Sequence, residues 1–132
     1  MNDIETDIET VIETDIETVI DSYLDAYSEP DEDRRRDLIV GAFATDASLA
    51  DPPFVAAGHD ELHATFGAVQ AQFPGHRFVR TSPIDQHHDR ARYTWALQLD
   101  DGAPVMEGMD IVAFADGKIV DVTGFFGHVP SA

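Results

Sequence analysis

Residues 90–126 read RARYTWALQLDDGAPVMEGMDIVAFADGKIVDVTGFF, and this stretch decides the fold. Tyr93, Trp95, Leu97 and Leu99 alternate with Arg92, Thr94, Ala96 and Gln98, the two-residue period of a strand with one buried face. Asp101-Gly102 and Asp116-Gly117 are dipeptides that reverse a chain between antiparallel strands. The stretch therefore predicts strands over 90–100, 104–115 and 118–126. Residues 76–87 read as one more strand, joined to the first at His88-Asp89.

Upstream the apolar period lengthens. Leu62, Phe66, Val69 and Phe73 mark one face of a helix that Pro74-Gly75 stops. A short strand from Ala47 to Asp51 precedes it, followed by Pro52-Pro53 and a loop ending near Gly58. Another helix is predicted over 31–44, with Asp31, Glu32 and Asp33 in its first turn, where the helix dipole favours acids. Its buried side is Leu38, Ile39, Ala42 and Phe43, and Arg34-Arg35-Arg36 reads as a solvated face pairing with nearby acids.

Pro30 separates this element from a first helix over about residues 3–28, because the residue before a proline avoids helical backbone. That helix carries a repeat, TDIETVIE at 6–13 and TDIETVID at 14–21, whose isoleucines at 4, 8, 12, 16 and 20 form one slowly winding band. The unit is too short for a solenoid, so residues 1–14 read as a repeat-extended end of the helix. Helices first and a meander afterwards predict an α+β fold. It is a cone-shaped roll of three N-terminal helices packed on a curved, mostly antiparallel sheet.

A chain of 132 residues that is 43% hydrophobic is expected to form one globular domain over 1–132. The absence of cysteine removes disulfides and thiol chemistry. A net charge of −18 with eight Lys and Arg speaks against nucleic acid and against anionic membrane surfaces as partners. Neither a basic-then-apolar leader nor a spanning apolar run is present, so the default compartment is the cytoplasm.

Three residues stand out for chemistry. Asp110 lies mid-strand on the face of Met106, Val112 and Phe114. An inward orientation would desolvate it and raise its pKa, whereas an outward one would leave it an ordinary surface acid. Asp51 ends a strand before two prolines and is either a turn residue or a pocket group. Tyr23, about a turn from Ile20 and Tyr27, reads first as a core tyrosine. His59 and His63 share a helix face, but HDELH lacks the order of zinc proteases and no third ligand stands nearby, so no metal site is expected. His76 is the histidine best placed to reach a cavity mouth, while His87 and His88 should point to opposite faces.

The order of elements, with Ala50-Asp51-Pro52 closing the first strand and Gly124-Phe125-Phe126-Gly127 closing the last, resembles the nuclear transport factor 2-like superfamily. Within it the chain is most similar to SnoaL-like and ketosteroid isomerase-like proteins, over about residues 15–127. The resemblance implies a cystatin-like α+β barrel, a homodimer formed through the outer face of the sheet, and a pocket for a small apolar ligand. Tyr23 in SYLDA is similar to the isomerase tyrosine, Asp51 to its base and Asp110 in GMDI to its third group. The implied activity is that of a cofactor-independent isomerase or cyclase working next to a carbonyl, with Asp51 taking a proton. Tyr23 and a protonated Asp110 would donate to the developing enolate. Phe66, His76, Trp95, Val112, Phe114, Val122 and Phe126 are expected to line the pocket. The alternative is a non-catalytic ligand-binding or dimerisation module of the same fold.

Overall fold

The computed structural model describes residues 16–127, so most of the repeated N-terminal segment, including the predicted extension over 1–14, lies outside the described residues. Helix α1 covers residues 16–28 and buries Ile16, Ile20, Tyr23, Leu24 and Tyr27, one apolar stripe at helical spacing. Helix α2 spans Glu32–Ala42, and the Asp31 side chain caps it by accepting the Arg34 N–H at 3.0 Å. Strands β1 (Phe43–Asp51) and β2 (Phe54–Ala57) lead into α3 (Gly58–Gln72). Strands β3 (Arg77–Arg80), β4 (Asp85–His87), β5 (Arg90–Gln98), β6 (Met106–Ala115) and β7 (Lys118–Phe126) follow.

The strands form one sheet in the order β2-β1-β7-β6-β5-β3, with β4 also paired to β5. Every pairing is antiparallel except that of β1 with β7. Asp116 and Gly117 both adopt positive φ, 53° and 77°, which makes the β6–β7 connection the tight hairpin its dipeptide predicts. Helices α1 and α3 supply the ring cluster Tyr23, Tyr27 and Phe66, which packs with Phe43 and Phe78 of the sheet.

Four expectations are corrected in detail. Helix α2 stops at Ala42 because Phe43 already pairs with Ile119 on β7, so β1 begins four residues before Ala47. The segment after Pro52-Pro53 is not all loop, since Phe54–Ala57 doubles back along β1. The strand predicted over 76–87 is broken around Pro83, which has no N–H to give, and there the Ser82 hydroxyl takes the place of a backbone carbonyl in accepting the Thr94 N–H at 2.9 Å. The arginine run is not uniformly solvated. Arg34 and Arg36 pair with Glu29 and Asp60 at 2.6 and 2.9 Å, but Arg35 is buried. Its Nε donates to the Glu29 carbonyl at 2.9 Å and its Nη2 to the Pro30 carbonyl at 3.1 Å, holding the turn that follows α1.

Candidate functional site

One row across four neighbouring strands assembles the site. Tyr93 on β5 pairs with Asp110 on β6, and Asp110 pairs with Gly124 on β7. Ala50 pairs with Thr123, which sets Asp51, the next residue of β1, beside Gly124. Strand alternation turns Leu49 and Asp51 inward on β1, and Gly108, Asp110, Val112 and Phe114 inward on β6. The middle of the row thus has no side chain, and the two carboxyl groups lean over it from either side. A carbon added at Gly124 would overlap Asp51 Oδ1 and lie 3.2 Å from Asp110 Oδ1. The two carboxyl groups therefore meet over Gly124, where Asp51 Oδ1 occupies the space a side chain would take.

Each acid has dedicated donors. The Tyr93 hydroxyl donates to Asp110 Oδ2 at 2.9 Å and the Trp95 indole N–H to Asp110 Oδ1 at 3.0 Å. The Tyr27 hydroxyl donates to Asp51 Oδ2 at 3.1 Å. Asp51 Oδ1 is buried with no hydrogen-bond partner, a costly condition for a carboxylate oxygen.

Burial first and the Asp51 charge second, against the opposing pull of hydrogen bonds from Tyr93, Trp95 and Tyr23, bring the Asp110 carboxyl up to about 7. Burial also raises Asp51, with the Tyr27 hydrogen bond pulling the other way. Burial and then the charges of Asp110 and Asp51 drive the Tyr23 phenol well above its ordinary value, so it stays a neutral donor. Both acids thus keep a proton to higher pH than an exposed aspartate does.

This site stands on a framework with known relatives. The profile of the SnoaL-like domain matches residues 20–122, most of the chain. The chain belongs to the SnoaL-like family. It is 34% identical to a SnoaL-like family protein from Agrobacterium tumefaciens str. C58 that was proposed to be an isomerase, over 87% of this chain and 99% of that one, with a TM-score of 0.80. Two further structures share the fold at lower identity. A proposed ketosteroid isomerase from Kribbella flavida DSM 17836 is 17% identical over 87% of this chain and 79% of that one, with a TM-score of 0.62. A proposed polyketide cyclase from Sinorhizobium meliloti is 20% identical over 81% and 93%, with a TM-score of 0.61. No curated protein matches the chain.

On this SnoaL-like framework Tyr23, Asp51 and Asp110 lie close enough to act on one another electrostatically, but the expected pocket wall does not form as one surface. Phe66, Val112 and Val122 are fully buried and Phe114 nearly so, all packed in the core. His76 sits at the bend after α3, its Nδ1 3.2 Å from the Pro74 carbonyl and its ring edge-on to Phe73, so it stands apart from the acids. Trp95 and Phe126 do border open space. With Thr94, Gly108, Met109 and Phe125 they line a groove of about 690 Å³ at the rim of the sheet. Trp95 links the two places, its ring lining the groove while its N–H bonds Asp110.

The paired histidines of α3 each meet a backbone carbonyl, His59 Nε2 that of Phe43 at 2.9 Å and His63 Nε2 that of Glu32 at 3.1 Å. Among the described residues no three or more His, Asp or Glu are grouped to hold a metal ion. His87 and His88 do not point to opposite faces: His88 takes a positive φ of 53° at the turn, and their Nδ1 atoms lie 3.1 Å apart on the surface.

Tyr27, Tyr93 and Gly124 were not readable as site residues from composition or periodicity. Gly124 does carry a signal, because a glycine at an inward position of a strand marks close approach by another group.

Proposed function

We propose that this SnoaL-like protein is a cofactor-independent acid–base catalyst, an isomerase or cyclase acting on a small, largely apolar carbonyl compound. The observation that carries the reading is the convergence of Asp51 and Asp110 over Gly124 in a dry row. Asp51 Oδ1 has a free lone pair and is the base. It takes a proton from the carbon beside the carbonyl, the C–H electron pair moves into the new C=C bond, and the carbonyl oxygen becomes an enolate oxygen. Tyr23 and protonated Asp110 donate hydrogen bonds to that oxygen, a contribution worth about 3 kcal/mol per donor in a preorganised site. Return of the proton to a different carbon completes an isomerisation. Attack of the enolate carbon on a second carbonyl, whose oxygen then takes the proton, completes a cyclisation.

Deuterium exchange into a panel of cyclic ketones in heavy water tests this directly. The wild-type chain should catalyse exchange beside the carbonyl, Asp51→Asn should abolish it, and Asp110→Asn should retain part of it. Equal exchange in all three would refute the assignment.

A second reading is favoured by the close packing of Phe66, Val112 and Val122. On that reading the interior is structural and the chain acts through the outer face of its sheet, as a homodimer. A chain that exchanges no ketone and dissociates on Ile111→Ser would fit this reading and exclude the first.

A further inference from the structure

We propose that Tyr27 is the positioning residue of the acid pair: it holds Asp51 by Oδ2 so that Oδ1 alone faces the reacting position over Gly124. The inference rests on the acid–base reading above and adds to it the residue that selects the basic atom.

Tyr27 is constrained at three points. Its ring is stacked on Phe66 with centroids 4.2 Å apart and lies 4.3 Å from Phe78. Its backbone carbonyl accepts the buried Gln70 side-chain N–H at 2.9 Å. Its hydroxyl then has one place to go, Asp51 Oδ2 at 3.1 Å. An aspartate carboxyl is two-fold about its last torsion, and either oxygen would serve equally if nothing distinguished them. The phenol distinguishes them, and the missing side chain of Gly124 leaves room for the oxygen that remains.

A positioned lone pair is what proton abstraction from carbon requires, since misplacement by about 1 Å costs on the order of a hundredfold in rate. The other titratable groups around Asp51 are Tyr23 on α1, Tyr93 on β5 and Asp110 on β6. Of the phenols, Tyr27 is the one bonded to Asp51, while Tyr93 is committed to Asp110. A tyrosine that merely fills the core would bury the same ring without governing which oxygen is free.

Tyr27→Phe keeps the ring and removes the hydroxyl. Carboxyl carbon-13 NMR titration of the full chain, with no ligand, should show the Asp51 midpoint rising by about one pH unit in the variant, because a donor to the ionised form is gone. The Asp110 midpoint should move much less. Tyr93→Phe should do the reverse, moving Asp110 more than Asp51. With cyclohexanone as probe, kcat for deuterium exchange in Tyr27→Phe should fall at least tenfold with little change in KM, and the acid limb of the pH profile should move with Asp51. An unmoved Asp51 midpoint overturns the proposal, as does a shifted midpoint with kcat unchanged. If the wild-type chain exchanges no ketone, the acid–base reading fails by itself, and the titration still decides whether Tyr27 controls Asp51.

Discussion

Asp110 and Ile111 are chain neighbours on β6 that face opposite ways, and the two faces of the sheet they serve are opposite in character. Inside, Asp110 is 2% exposed and meets hydroxyl and indole donors. Outside, Ile111 is 42% and Phe125 54% exposed, and both line the apolar groove at the sheet rim. The usual division of a half-buried sheet puts apolar groups in and polar groups out. Here the concave side spends some of its burial on acids and phenols, and the convex side leaves apolar area uncovered. A buried acid whose two oxygens both meet donors, as those of Asp110 do, marks a built network.

The contrast can be broken most severely at Asp110. Replacing it with leucine strands the Tyr93 hydroxyl and the Trp95 N–H without an acceptor and should cost about 3 kcal/mol in urea unfolding. Ile111→Ser, one residue away, should change monomer stability by no more than about 0.5 kcal/mol. Equal losses at both positions would erase the distinction between the faces.

Gly124→Ala should cost about 2 kcal/mol, because the added methyl collides with Asp51 at the centre of the row. Gly41→Ala in α2 meets no neighbour and should stabilise by roughly 0.5–1 kcal/mol through helix propensity. The pair of thermal melts separates a glycine needed for space from one that is not.

Acidity sharpens the picture further. Asp110 has a folded-state pKa near 7 against an ordinary 3.8, so between these values the folded chain keeps a proton that the unfolded chain has released. Stability should therefore fall as pH rises through that window and level off above it, with this group contributing up to about 1.4 kcal/mol per pH unit. Raised Asp51 acts in the same direction. Asp110→Asn should flatten the slope of stability against pH from 5 to 7, and an unchanged slope would count against a proton held at Asp110. The smallest effect is expected at the exposed Arg36–Asp60 pair, where Arg36→Ala should shift stability by less than about 0.5 kcal/mol.

The two faces also explain how much could be read from the sequence. The alternation in Tyr93-Thr94-Trp95-Ala96-Leu97 and the Asp-Gly turns are local signals, and the meander they predict is the one that forms. The inward orientation of Asp110 was a parity argument, open until the strand was seen. What lies across strands was out of reach. The register of β1 against β7 comes from a parallel pairing with an irregularity between Phe43 and Ser48, and no local pattern encodes it. That register sets Asp51 beside Gly124. The burial of Arg35 is non-local in the same way, since it depends on carbonyls left open after α1 and on the bare surface of Gly67. The pocket wall is not legible because an aromatic on an inward face looks the same in sequence whether it borders a cavity, as Trp95 does, or fills the core, as Phe66 does.

Whether the two acids act as one coupled unit is decided by titrating the Asp110 carboxyl carbon by NMR in the wild-type chain and in Asp51→Asn. The account predicts a midpoint near 7 in the wild type and a clearly lower one once the neighbouring negative charge is removed. A midpoint near 4 in both proteins would contradict it.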